Sequence, residues 1–177
     1  MEQLISEITS SLESENYLSA LALTLILPDI CGKIAYPKLK TSNQVGERYA
    51  RWYNEYIYPY ELSQNKDQSY NEWIPDGDTI YKLRCNLFHD GSVLIDDYIK
   101  RKKDGYVDYK FILTNNFSSI NLIWEEGDNN PRVLIRLAVE DFCRKICAVA
   151  VNFYNEHSKG LDIYNDILIF DFSYNRN

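Results

Sequence analysis

The chain has 177 residues, of which 45% are hydrophobic and 25% are charged, a balance that fits one folded domain and excludes a disordered chain. Its 19 Lys and Arg residues against 26 Asp and Glu residues give a formal net charge of −7. This charge argues against a protein that coats nucleic acid nonspecifically, although a site for one phosphate needs only a few local cations.

The N-terminal part of the sequence predicts helices. Apolar residues at intervals of three and four predict a short amphipathic helix at the start of the chain. Residues 17–34 are apolar on nearly every side, as in a buried helix, and Pro28 is expected to kink or restart it. Thr41 or Ser42 is expected to cap a third helix, which runs through GERYARWYNEYI.

The next segment predicts a helix end, a loop and a further helix. The third helix is expected to fade at Pro59, and residues 61–76 are polar without periodicity, which is typical of a loop. Asp76 or Asp78 is expected to cap a fourth helix, DTIYKLRCNLFH, and Gly91 is expected to end it.

The remaining sequence predicts strands and one long helix. Three strand-like runs lie at residues 92–99, 106–114 and 119–125, and Lys-Asp-Gly at 103–105 predicts a hairpin turn. Pro131 is expected to open a helix from Arg132 to about His157, and the tail ILIFDF is expected to add a strand. We therefore predict a mainly α (α+β) single domain over residues 1–177, a helical bundle with an inserted β-hairpin or small antiparallel sheet around 92–125.

The cysteines and apolar segments indicate a cytoplasmic protein without cofactors. The sequence has no Cys-x-x-Cys pair and only two histidines, so zinc-ligand spacing has no support, and we expect neither a metal nor another cofactor. The four cysteines are predicted to be buried thiols. The longest apolar stretch, residues 18–30, is too short to span a bilayer, and we expect no signal peptide and no membrane partner.

The segment YKLRCNLFHDG, residues 81–91, is the strongest candidate for chemistry. It contains Arg84 and His89 at the end of a predicted helix, just before a turn. Arginine binds phosphate oxygens as a fork, and histidine both takes and gives a proton near neutral pH. Together they suffice for RNA cleavage without metal: His89 activates the ribose 2′-hydroxyl and Arg84 stabilises the phosphorane. Asn86 is expected to orient the phosphate or the imidazole.

Helix geometry limits how the two residues can act together. Five residues along a helix turn the side chains about 140° apart, so one helix does not aim both at one phosphate unless Arg84 swings round or His89 lies past the helix end. A two-fold dimer removes this difficulty, because it brings two copies of the segment together. In the alternative, structural interpretation, Arg84 pairs with a buried carboxylate such as Asp29 or Glu47, and His89 caps the helix C-terminus.

The segment Arg84-Cys-Asn-Leu-Phe-His89 resembles a motif of the HEPN superfamily (higher eukaryotes and prokaryotes nucleotide-binding domains). Its ribonuclease members are helical bundles that carry Arg, four to six residues, then His near the end of a late helix. The resemblance extends over residues 1–91 and 131–157, with Cys85 where family members commonly have a polar residue. It implies a metal-independent endoribonuclease that is typically dimeric and serves as a toxin or in defence against phage.

Other residues are candidates for binding and support. The cationic run at the predicted hairpin tip is either a contact for an RNA backbone or a solvated turn that guards an edge strand: Lys100, Arg101, Lys102 and Lys103. Asp29, Glu47 and Arg48 are candidate supporting residues of the site. An aromatic stripe at helical spacing favours core packing or a dimer seam over base stacking: Tyr49, Trp52, Tyr53, Tyr56 and Tyr60.

The main alternative function is non-enzymatic. An acidic and aromatic surface suits an interaction protein, such as an antitoxin, an inhibitor or an accessory factor, which binds a basic protein partner. An enzyme is expected to expose Arg84 and His89 in a shared cleft, whereas an interaction protein can bury both in pairs.

Overall fold

A computed structural model describes residues 1–64, 71, 73–92, 99–102, 105–115, 120–125 and 132–158. These ranges are mainly helical with a small sheet, which confirms the predicted fold class. They contain seven α-helices: α1 (Glu2–Glu13), α2 (Tyr17–Thr24), α3 (Leu27–Ala35), α4 (Val45–Tyr56), α5 (Tyr58–Gln64), α6 (Gly77–Asp90) and α7 (Val139–His157).

Local signals place the boundaries of the first four helices. The apolar segment that begins at Tyr17 breaks after Thr24, and Pro28 lies in the first turn of α3, so the predicted restart is confirmed. Proline is tolerated there because the first turn does not use its missing N–H. Thr41 and Gln44 form a capping box on a short 3₁₀ turn just before α4.

The prediction of a loop over residues 61–76 is wrong for its first four residues. The chain leaves α4 after Tyr56 and turns helical again at Tyr58, with Pro59 in the first turn of α5, where a proline does not interrupt the hydrogen bonds. The rest of the predicted loop includes residues 65–70 and 72, which lie outside the described residues.

Helix α6 agrees with its sequence signals at both ends. Asp76 is the N-cap, and one of its carboxylate oxygens accepts a hydrogen bond from the backbone N–H of Thr79 at 3.1 Å. At the other end Gly91 adopts the left-handed conformation, with φ of 62°, and ends the helix. The segment that carries Arg84 and His89 is therefore a regular helix with defined ends.

We expect Gly77→Ala to lower the free energy of unfolding by at least about 2 kcal/mol, because it overpacks the contact between α4 and α6. A Cβ at Gly77 would overlap the carbonyl oxygen of Ala50 and lie 2.6 Å from its Cα. At Gly91 a Cβ meets nothing within 4 Å, so Gly91→Ala is the control for backbone conformation alone, at about 1 kcal/mol. Urea unfolding of both variants measures the difference, and equal losses would contradict the close packing.

The strands form one mixed sheet in the order β1-β2-β4-β3. Its strands are β1 (Ile99–Lys102), β2 (Gly105–Thr114), β3 (Ile120–Glu125) and β4 (Arg132–Ala138). The predicted hairpin is confirmed, since β1 and β2 are antiparallel and Lys102 is opposite Gly105. Strand β4 runs parallel to β2 and antiparallel to β3.

The predicted helix from Arg132 to about His157 is wrong in its first seven residues. These residues form β4, and α7 begins only at Val139. The physical reason is that Ile135 and Leu137 are buried while Arg136 between them is exposed, an alternation that fits a strand between two neighbours. The sheet consequently extends to residue 138 and includes a parallel pair, instead of being a purely antiparallel insertion at 92–125.

Glu140 and Arg144 of α7 form an exposed i,i+4 ion pair, with 2.8 Å between Oε1 and Nη2. The sequence also makes predictions for residues 93–98, for Pro131 and for the ILIFDF tail. These residues lie outside the described ones.

The core lies between the helices and one end of the sheet. Tyr49, Trp52 and Tyr53 of the aromatic stripe are fully buried, Tyr56 is half-buried and Tyr60 is exposed. Most of the stripe therefore packs in the core of the chain itself, where it contacts the buried side of α7.

The apolar segment Tyr17–Ala35 is longer than the stretch noted in the sequence. Its 19 residues are long and apolar enough to cross a membrane by length and composition alone. Half of it is buried inside the fold, and a break separates α2 from α3 within it. Both α2 and α3 pack against α7.

Candidate functional site

Helix α6 carries both residues of the candidate motif but points them in different directions. His89 lies in the last turn of α6, before the helix ends at Asp90, so the expected rotation of about 140° from Arg84 applies in full. His89 is exposed, whereas the Arg84 side chain is only 24% exposed. The two residues therefore lie on sides of α6 that are about 140° apart.

Arg84 is held by the carboxylate of Asp29. Its Nη2 atom lies 3.0 Å from Oδ2 of Asp29, in the first turn of α3, and the Asp29 side chain is 13% exposed. Of the two carboxylates named as partners, Asp29 is thus the one used. Glu47 lies 3.8 Å from Arg51 in an exposed i,i+4 pair on α4, so the structure does not join it to Arg84.

The electrostatics of the pair are set by burial and by further cations. Burial raises the pKa of the Asp29 carboxyl, and the positive charges of Arg84, Arg48 and Lys33 oppose this without cancelling it. Burial lowers the pKa of Arg84, but the Asp29 charge and its polar neighbours outweigh burial and raise that pKa overall. Arg84 consequently stays charged under all ordinary conditions.

We expect the raised pKa of Asp29 to lower the free energy of unfolding as the pH rises. The folded protein holds the Asp29 proton up to a higher pH than the unfolded chain, whose carboxyl has the ordinary pKa of 3.8. The unfolding free energy therefore decreases as the pH rises from 3.8 through the raised pKa, and is level above it. Urea unfolding of wild type and Asp29→Asn across this range measures the effect as their difference. A difference that grows in the opposite direction would mean that Arg84 outweighs burial.

Two aromatic rings of α6 lie close to the Arg84 guanidinium. Its central carbon lies 5.8 Å from the ring centroid of Tyr81 and 5.3 Å from that of Phe88, both within cation–π range. Tyr81 in turn contacts Tyr49 of α4, with centroids 5.1 Å apart. Phe88 is 45% exposed, so Arg84 lies at the margin between the core and solvent.

A second arginine, Arg48 of α4, lies beside this pair. It is 7% exposed, and its Nη1 atom donates a hydrogen bond to the carbonyl oxygen of Leu39 at 3.1 Å. Several buried polar atoms of the cluster have no hydrogen-bond partner among the described residues: Oδ1 of Asp29, Nε of Arg48, Nε of Arg84 and the hydroxyl of Tyr49. Buried polar atoms of this kind are satisfied in native proteins by water or by a ligand.

The other predicted site residues are placed elsewhere. Asn86 is 9% exposed and lies two residues after Arg84, on a different side of α6. Lys100, Arg101 and Lys102 lie on β1, where Lys100 is opposite Val107 and Arg101 is opposite Tyr106 in the register with β2. Lys103 lies outside the described residues.

Other chemistry receives no support from the described part of the chain. Burial raises the pKa of both Cys31 and Cys143 to about 12, which makes them poor nucleophiles. In the ranges that the structure describes, no group of three His, Cys, Asp or Glu side chains is placed to hold a metal ion.

Sequence reasoning missed Lys33, Tyr81 and Phe88 as members of the site. Helical spacing contained the signal, since Lys33 follows Asp29 by four residues, while Tyr81 and Phe88 flank Arg84 at three and four. Without the partner helix, however, this spacing does not distinguish a site from any helix face.

Comparisons with known proteins add no relative to this description. No family model, no curated protein and no solved structure matches the chain.

Proposed function

We propose that the chain is a HEPN-like, metal-independent endoribonuclease of the cytoplasm, which acts as a homodimer in toxin or phage-defence systems. The observation that supports this best is the state of Arg84: it is charged, held by Asp29 and partly exposed, on the same helix as an exposed histidine. Phosphodiester cleavage needs a fixed, accessible arginine and a histidine at the same phosphate, and two copies of α6 facing each other would supply both.

The reaction is a transfer within the RNA strand. His89 takes the proton of a ribose 2′-hydroxyl, whose oxygen attacks the adjacent phosphorus, and Arg84 binds the equatorial oxygens of the phosphorane. The bond to the 5′-oxygen breaks, and that oxygen receives the proton that the imidazole of His89 took from the 2′-hydroxyl. The products are a 2′,3′-cyclic phosphate and a 5′-hydroxyl. Because His89 and Arg84 diverge on α6, each site combines Arg84 of one copy with His89 of the other.

The test is RNA cleavage in excess EDTA, where we expect full activity and a cyclic phosphate product. Arg84→Lys is expected to reduce the rate by about 10-fold or more, because it keeps the charge but loses the bidentate fork. Arg51→Lys is the matched control, since Arg51 is exposed on α4 and pairs with Glu47. Activity that disappears with EDTA, or equal losses in both variants, would overturn the mechanism.

The second candidate is an acidic interaction protein without activity. The observation that favours it is the same ion pair, because a partly buried Arg84 paired with Asp29 also serves simply to join α6 to α3. A chain with a net charge of −7 attracts basic partners, and such binding weakens steeply with salt. Absence of cleavage on any RNA, together with salt-sensitive binding of a basic protein, would favour this candidate.

A further inference from the structure

We propose that Lys33, Arg48 and Arg84 form a binding site for a phosphoryl group, with Asp29 as its built-in counter-ion. This assignment rests on the proposed function only for the identity of the ligand as a phosphate of RNA. It adds two cations, Lys33 and Arg48, to the arginine of the motif.

The charge of the cluster is opposite to that of the chain as a whole. Lys33, Arg48 and Arg84 act as three positive charges on the one carboxylate of Asp29, whereas the whole chain carries −7. A local excess of cations in an acidic protein attracts an anion to one place and keeps polyanions off the remaining surface.

Three donor atoms of the cluster and of the adjoining Tyr49 are buried and have no acceptor among the described residues. Arg48 is more than nine-tenths buried, and its Nε atom has no hydrogen-bond partner among the described residues. Nε of Arg84 and the hydroxyl of Tyr49 also have no hydrogen-bond partner among the described residues, and the side chain of Tyr49 is fully buried. Leaving buried donors unpaired costs free energy, which an anionic acceptor recovers.

The helix packing brings these residues together and leaves them a way out to solvent. Helices α3 and α4 cross at Gly32, where a Cβ would lie 2.8 Å from the carbonyl oxygen of Arg48, so only glycine permits this approach. The crossing brings Asp29 and Lys33 of α3 to Arg48 of α4. Lys33 is exposed and Arg84 is partly exposed, so the cluster meets solvent on the side of these two residues.

Phosphate fits this donor set better than a carboxylate does. Two guanidinium groups carry planar sets of donors, and a phosphoryl group offers three oxygens to them, whereas the contact between Asp29 and Arg84 joins Oδ2 to Nη2 at 3.0 Å. Because Asp29 competes with an incoming anion for the same charge, its removal leaves a stronger site.

The experiment is calorimetric titration with inorganic phosphate at constant ionic strength, with chloride as the balancing salt. We expect wild type to bind phosphate, Arg84→Gln to bind it about tenfold more weakly or worse, and Asp29→Asn to bind it about tenfold more tightly. Arg51→Gln is the control, because it removes one exposed positive charge from α4 outside the cluster. Tighter binding in Asp29→Asn is a change that a purely structural role of the ion pair does not produce.

A parallel titration with a short single-stranded RNA identifies the source of the phosphoryl group. Competition between this RNA and inorganic phosphate, with the same order of variants, supports a backbone phosphate as ligand; binding of phosphate without competition assigns the site to a free phosphate. Phosphate binding without RNA cleavage would refute the proposed function and leave the site intact. No phosphate binding by folded wild type, or equal affinities in Arg84→Gln and Arg51→Gln, would overturn the site.

Discussion

Replacing His89 with alanine is expected to lower the rate of RNA cleavage by about 10²- to 10⁴-fold, because the reaction loses its proton-transfer group. The fold is expected to survive, since His89 is exposed in the last turn of α6. His157→Ala is the matched control: His157 is the other histidine of the chain and is also exposed, in the last turn of α7. The measurement is the initial rate on one labelled RNA in EDTA.

Mixed dimers test whether the site is shared between two copies. Arg84→Gln and His89→Ala are each expected to be inactive alone, but their heterodimer contains one site with an intact Arg84 and an intact His89. Statistical mixing therefore restores roughly a quarter of wild-type activity if the site crosses the two-fold axis. Unchanged activity in His89→Ala, or a loss of the same size in His157→Ala, would exclude His89 as the proton-transfer group. A mixture that stays inactive would exclude the shared site.

Trp52→Ala is expected to lower the free energy of unfolding by about 3–5 kcal/mol, because it opens a large cavity in the core. Trp52 is fully buried on α4, and its ring centroid lies 5.6 Å from that of Tyr56 and 5.8 Å from that of Phe153. Because the contact between Trp52 and Phe153 joins α4 to α7, the substitution weakens the packing between two helices. Urea or thermal unfolding, followed by circular dichroism, measures it.

Two further variants separate the cavity from other effects of Trp52. Tyr60→Ala removes an aromatic ring that is 56% exposed and is expected to change stability by less than about 0.5 kcal/mol. Trp52→Phe retains much of the volume and removes a buried N–H that has no partner among the described residues, so its cost is expected to be well below that of Trp52→Ala. If Trp52→Ala lowered the free energy of unfolding by less than about 1 kcal/mol, which is the size expected of a surface substitution, the result would contradict the described core.

The candidate site was predictable in its residue types but not in its arrangement. Arg84 and His89 are recognisable from their chemistry, and the rotation between them follows from the period of a helix. The choice of Asp29 over Glu47 as the partner of Arg84 was not predictable, because both are acids in helices at a large distance along the chain. Only the crossing of α3 with α4 and α6 decides which carboxylate reaches the guanidinium.

The sequence by itself determined the features that depend on local interactions. Pro28 restarts a helix, Asp76 caps α6 and Gly91 ends it, because each acts through its own backbone or its nearest neighbours. The hairpin between β1 and β2 belongs to the same class, since the two strands lie next to each other along the chain.

Only the tertiary structure decided the state of residues 132–138 and the charge cluster around Asp29. RVLIRLA is compatible with a helix or a strand, and it becomes β4 because β2 and β3 supply hydrogen-bond partners on both of its edges. Lys33, Arg48 and Arg84 likewise become one cluster only when three helices pack together. In both cases the deciding interactions join residues that are distant in sequence, and their free energy exceeds the small local preferences that a pattern reports.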